Sequence, residues 1–267
     1  MINNEQTPQL TIPRVTSSVF CSDNLELMKT IESNTIDLIY CDILYGTGRK
    51  FADYQDLKPI RSEIESHYIP RIKEMHRILK DTGSIYLQMD TRINHWIRCL
   101  MDDIFGYENF RNEIVWHYKS MSNTKRYYPR KHDNILFYTK TNNYTFNFEN
   151  DSVQVPYSEA TLKRSKTKAG FNNDKSDYLK SNTYLIEDVW DDISFLKNGV
   201  VYNTQKPKAL IERIIKASSN EGDLVADFYL GSGTTAKVCQ ELNRKFIGCD
   251  LNPKAIEITK SRLNGGQ

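Results

Sequence analysis

Two stretches of this chain hold residue types at spacings that could do chemistry. In Asp42-Ile43-Leu44-Tyr45-Gly46-Thr47-Gly48 an aspartate stands three residues before a tyrosine, and Asp227-Phe228-Tyr229-Leu230-Gly231-Ser232-Gly233-Thr234-Thr235 is rich in glycine and hydroxyls. A carboxylate accepts hydrogen bonds from an amine or hydroxyl, and a tyrosine ring offers a face on which a planar ring can stack. Glycines let the backbone pass close under a ligand, and the open N–H groups at the start of a following helix favour a negative group. Each stretch follows a short apolar run, Leu38-Ile39-Tyr40 or Leu224-Val225-Ala226. Such runs read as buried parallel strands, and open α/β sheets build their sites at strand carboxyl ends. One loop is therefore expected to hold a cofactor and the other to carry a reaction.

The glycine loop alone leaves two chemistries open. Ala236 completes a G-x-G-x-x-A spacing, and Asp250 ends the next expected strand, 245–249, where a dinucleotide fold keeps its ribose-binding acid. A nicotinamide dehydrogenase satisfies that pattern too.

Together the two stretches resemble the S-adenosylmethionine (AdoMet) dependent amino-methyltransferases of DNA, in the permuted order called β, where the catalytic tetrapeptide precedes the cofactor loop. The resemblance extends to Phe246-Ile247-Gly248-Cys249-Asp250-Leu251-Asn252-Pro253, to Asn203-Thr204-Gln205-Lys206-Pro207 and to Asp23-Asn24. It also takes in Phe110-Arg111-Asn112-Glu113-Ile114-Val115-Trp116 and Lys131-His132-Asp133-Asn134-Ile135-Leu136-Phe137-Tyr138. It implies a Rossmann-like α/β fold, a mostly parallel twisted sheet with helices on both faces, plus an inserted target-recognition region. S-adenosyl-L-methionine is the implied cofactor and double-stranded DNA the implied partner, with methyl transfer to the exocyclic amine of a flipped base. By the same resemblance Asp42 and Tyr45 are the catalytic pair, and Asp250 holds the ribose hydroxyls. Gly231, Ser232 and Gly233 frame the methionyl part, Thr204 and Lys206 reach its carboxylate, and Asp23, Cys41, Asp42, Asp227, Tyr229 and Thr234 complete the cofactor set. An aspartate at position 42 is the usual adenine-N6 form, with cytosine N4 as the alternative; restriction-modification is the natural setting, and a homodimer is a family expectation.

The family normally carries Asp-Pro-Pro-Tyr, and here Ile43 and Leu44 replace both prolines. Prolines would fix φ near −65° and remove two N–H donors, presetting the carbonyl of residue 43. Their loss adds two donors that need partners. It leaves open a catalytically impaired homologue kept for binding DNA, and it leads to the expectation that Ile43→Pro with Leu44→Pro raises methyl transfer.

The elements that must position these loops follow from hydrophobic spacing. Strands are expected at 18–20, 36–41, 84–89, 113–118, 134–138 and 245–249, and helices at 24–31, 61–79, 92–105 and 234–242, with a further helix opening at Pro207. Residues 1–141 form the catalytic part of the domain, 142–197 the insertion and 198–267 the AdoMet-binding part. Periodicity is lost across the insertion, and a mobile stretch is expected near 161–181.

Composition suits a cytoplasmic enzyme of 267 residues. No apolar run approaches a membrane span, the polar start lacks a signal-peptide core, and five scattered cysteines without a C-x-x-C pair suit reduced thiols and no metal site. The net charge of +2 conceals an asymmetry: residues 117–180 hold twelve Lys or Arg against six Asp or Glu. A basic segment interleaved with tyrosines and phenylalanines suits a phosphate backbone, with Lys163, Arg164, Lys166 and Lys168 as the expected DNA-binding residues.

Overall fold

The strand β2 (Ile36–Asp42) sets the architecture, because its side chains alternate between two cores. Ile39 and Cys41 point into one apolar cluster, Leu38 and Tyr40 into the other, and all four are buried. A strand apolar on both faces must be sandwiched, and a computed structural model shows how. It describes residues 17–50, 55–119, 124–166, 182–195 and 205–265, with 164–166 described by backbone alone.

Among the described residues, eight strands form the central sheet. β2 is flanked by β3 (Leu79–Met89) on one side and β9 (Leu224–Asp227) on the other, both parallel to it. Beyond β9 lie β10 (Lys245–Asp250) and β1 (Ser18–Cys21), again parallel. Beyond β3 come β5 (His132–Thr139) and β4 (Phe110–His117), each antiparallel to its predecessor, and then β8 (Val189–Trp190), parallel to β4. The helices α1 (Asn24–Thr30), α2 (Arg61–Ile78) and α3 (Asn94–Phe105) cover one face through Met28, Ile64, Ile72 and Met101. The other face is covered by α5 (Lys208–Ser218), α6 (Thr234–Glu241) and α7 (Pro253–Leu263), through Leu210, Ile214, Val238 and Ile256.

The chain leaves β2 toward β3 in one direction and leaves β9 toward β10 in the other. The crevice between the carboxyl ends of β2 and β9 is therefore a topological switch point, where open α/β sheets bind ligands. Because β5 and β4 run antiparallel, the start of β5 and the end of β4 face this same edge.

Two expectations are adjusted. β3 begins at Leu79, five residues earlier than expected; its register against β2 slips between Ile36 and Leu38, so 80–83 bulge instead of ending the preceding helix in a turn. Within 142–197, a two-stranded sheet of β6 (Gln154–Pro156) and β7 (Thr183–Leu185) stands apart with α4 (Glu159–Lys166), yet β8 joins the central sheet. The segment is also fastened to the core: the Trp116 indole donates to Ile193 O at 2.9 Å, and Arg213 pairs with Asp192. Residues 167–181, most of the stretch expected to be mobile, lie outside the described residues. Among the described residues no helix is long and apolar enough to cross a membrane.

Candidate active site

The ends of β2 and β9 open into one cavity of about 670 Å³. Of the residues singled out in the sequence, Asp23, Asp42, Tyr45, Lys206, Asp227, Tyr229, Gly231, Ser232, Thr234 and Asp250 line it. The two chemical strings, far apart in the chain, thus share one space.

Asp42 ends β2, and both of its carboxylate oxygens are engaged. Tyr45 Oη lies 2.8 Å from Oδ1, and Lys206 Nζ donates to Oδ2 at 2.6 Å. Lys206 Nζ also sits 5.1 Å from the centre of the Tyr45 ring, a cation over an aromatic face. Burial pushes the Asp42 carboxyl above its usual range, and the Lys206 charge opposes that rise. Burial, with the Asp42 and Asp133 charges, holds the Tyr45 phenol well above its ordinary value.

The loop that lost its prolines is held at almost every residue. Ile43 N donates to Gln88 O at 3.0 Å, and Tyr68 Oη donates to Leu44 O at 3.1 Å. Gly46 N and Thr47 N donate to the two oxygens of Asp56, at 3.1 and 2.7 Å. Gly46 takes φ +62°, and a Cβ there would lie 2.6 Å from Ile93 Cγ2; the turn needs glycine. Ile43 is 2% exposed and part of the core. Ile43→Pro would delete a used donor and a packed side chain, a cost set against the fixed turn expected of the prolines.

On the cofactor side, Asp250 ends β10 and accepts from Gly231 N at 2.9 Å and Asn252 N at 2.8 Å. Asn252, not Asp250, caps α7. Asp227 accepts from Tyr229 N at 3.0 Å and from the Thr235 hydroxyl at 2.6 Å, and burial pushes its carboxyl up to about 7. Asp23 caps α1 and pairs with Arg71 at 2.9 Å. Two residues of the expected cofactor set do not reach the cavity. Cys41 is turned into the core by strand alternation, its sulfur accepting from Phe228 N at 3.4 Å. Gly233, at φ +77°, packs against Thr259, where a Cβ would collide, so it serves close helix packing. Thr204 and Lys168 lie outside the described residues, as do the side chains of Arg164 and Lys166; Lys163 is exposed on α4.

Several residues of the site carried no sequence signal of their own. Asp56, 2% exposed, follows no motif. Arg71 and His67 lie one turn apart on α2: Arg71 Nε donates to Asn24 Oδ1 at 2.7 Å, and the His67 ring meets the Tyr229 hydroxyl at 3.3 Å. Burial and the Arg71 charge lower His67 to about 4, so its ring is neutral at pH 7. Asp133 and Gln88 lie on β5 and β3; the first stood in a string matched by resemblance but without a role.

A family model described as DNA methylase matches residues 36–261. The type II methyltransferase M.HpaI of Haemophilus parainfluenzae is 35% identical over 248 residues, spanning 92% of this chain and 74% of its own. The DNA adenine methyltransferase YhdJ of Escherichia coli is 31% identical over 259 residues, spanning 92% of this chain and 82% of its own. Among solved structures, the cytosine-N4-specific PvuII DNA methyltransferase shares the fold with a TM-score of 0.69 at 17% identity, over 92% of this chain and 86% of that one. The complex of M1.HpyAVI with SAM gives 0.60 at 19% identity, over 92% and 98%. These relatives do not favour the dehydrogenase alternative.

Proposed function

The chain belongs to the DNA methylase family of the adenine-N6 and cytosine-N4 type, and on that premise we propose that it methylates adenine N6 in double-stranded DNA at a specific site, in a bacterial-type cytoplasmic setting of restriction-modification. The family's methyl donor is S-adenosyl-L-methionine. The cavity fits that donor. Its volume lies in the range of small-molecule sites; Gly231 has no atom within 4 Å of where a Cβ would stand, and Leu251, 70% exposed beside Asp250, offers an apolar surface. Asp250 would hold ribose hydroxyls and Lys206 a carboxylate, and the bound donor supplies a methyl group on an electron-poor sulfur.

The observation that carries this reading is the Asp42 carboxylate, partly buried at the end of β2 and opening on the same cavity as the glycine loop, with the Tyr45 ring beside it. An exocyclic amine is a poor nucleophile because its lone pair is delocalised into the base. Asp42 and the main-chain carbonyl of residue 43 would accept its two N–H bonds, pyramidalise the nitrogen and concentrate its lone pair, an interaction strongest in the transition state. The base has to leave the duplex to reach this depth, and stacking on the Tyr45 face stabilises it there by about 1 to 3 kcal/mol. Asp42 in place of the serine commoner among cytosine-N4 enzymes supports adenine, as does the likeness to an adenine methyltransferase.

The test is nucleoside analysis of duplex DNA after incubation with the protein and methyl-labelled AdoMet. Label in N6-methyladenine is expected. Label in N4-methylcytosine overturns the base assignment, and no label despite AdoMet binding returns the chain to a DNA-binding role.

A further inference from the structure

We propose that Asp133 is the positioning residue of the catalytic loop, orienting the Tyr45 ring through its hydroxyl and so freeing an oxygen of Asp42. This rests on the methyl-transfer reading above.

Asp133 lies at the start of β5, 4% exposed, paired in register with Trp116 of β4. Three donors converge on it: Gln88 Nε2 to Oδ2 at 2.9 Å, Tyr118 Oη to Oδ1 at 3.2 Å, and Tyr45 Oη to Oδ2 at 2.7 Å. Gln88 is itself fixed, its Oε1 accepting from Tyr40 Oη at 2.7 Å, and both residues are buried. The acceptor is thus held by two strands and is not a feature of the loop.

The Tyr45 hydroxyl lies within hydrogen-bond distance of both Asp42 Oδ1 and Asp133 Oδ2. It carries one proton, so it serves one carboxylate at a time. With Asp42 alone as partner, the hydroxyl would compete with the target amine for the oxygen that the amine needs. Asp133 removes that competition: the proton turns to Asp133 without the ring moving, Asp42 Oδ1 becomes available, and the ring keeps the orientation on which a base stacks. Asp133 touches no substrate and acts through Tyr45.

The experiment is a double-mutant cycle of Asp133→Ala and Tyr45→Phe, read as single-turnover methyl transfer at saturating AdoMet and DNA, with thermal stability of the ligand-free protein read on the same four proteins. Phe keeps the stacking ring and removes only the hydroxyl. Asp133→Ala is expected to slow transfer by about ten- to a hundredfold and leave AdoMet affinity unchanged. In the Tyr45→Phe background the same change should cost less than about twofold, because the interaction it served is already absent. Asp133→Asn should recover most of the rate, since its amide oxygen still accepts from Tyr45 while its NH2 turns to the Tyr118 hydroxyl. Additive losses in rate and in melting temperature, or an Asp133→Asn variant as slow as Asp133→Ala, overturn the proposal. A parent protein that transfers no methyl group at all overturns the methyl-transfer reading instead, and the stability cycle then still decides whether Asp133 and Tyr45 are coupled.

Discussion

In the proposed reaction Asp42 acts as an anion in a place that disfavours anions, and Lys206, 2.6 Å away, is what offsets the burial. Its carboxyl lies above the usual range, and the ionised form is the one that accepts from an amine, so methyl transfer should fail on the acid side at a higher pH than an ordinary carboxylate would give. Lys206→Met removes the opposing charge and should move the acid limb of kcat/KM for DNA, measured at saturating AdoMet, to still higher pH; an unmoved limb means another group controls it. Asp250 gives a second expectation. Its carboxylate orders Gly231 and Asn252, and Asp250→Ala should weaken AdoMet binding by about 1 to 3 kcal/mol in calorimetry; unchanged affinity would remove it from the cofactor site. These residues were legible because family strings surround them. Asp56, Arg71 and His67 were not, since a buried carboxylate in a loop, or a charged pair on a helix, looks in sequence like a solvated one. Cys41 was misplaced because the string names the residue and only strand alternation tells which way it points.

The catalytic loop is an element whose sequence and structure tell different stories. Two absent prolines suggested a slack turn, but the turn is secured from outside, by Gln88, Tyr68, Asp56 and Asp133, each supplied by another segment. Ile43→Pro with Leu44→Pro should therefore lower stability, on the order of 2 kcal/mol from a lost hydrogen bond and lost core packing. A faster enzyme with an unchanged melting temperature would restore the proline account. Strand and helix positions were readable because buried parallel strands are apolar on both faces and their helices carry a stripe at helical spacing; Leu210, Ile211, Ile214 and Ile215 of α5 are all buried as that spacing requires. The early start of β3 escaped, because Asp81-Thr82-Gly83 is turn-like in composition and only the neighbouring strand β2 makes it a bulge.

At the scale of the whole molecule, the antiparallel pair β4 and β5 carries residues 124–131 to the same sheet edge as Asp42. Lys125, Arg126 and Arg130 are exposed there, with Tyr127 and Tyr128 67% and 95% exposed. Part of the basic excess read from 117–180 thus lies beside the site, and not only in the insertion. Replacing Lys125, Arg126 and Arg130 should weaken DNA binding across sequences and flatten its log-log salt dependence by about 0.9 for each phosphate no longer neutralised; the same replacement at Lys163, Arg164, Lys166 and Lys168 weighs the insertion against this edge. An unchanged slope in either set returns those residues to a solvated face. The central claim, that Asp42 at the mouth of a cofactor cavity drives methyl transfer to adenine in DNA, is tested most directly by mapping methylated bases in DNA from cells expressing the parent protein or Asp42→Ala. N6-methyladenine confined to one sequence context with the parent protein, and absent with Asp42→Ala, is the expected result. The same methylation with both proteins, or none with either, would contradict it.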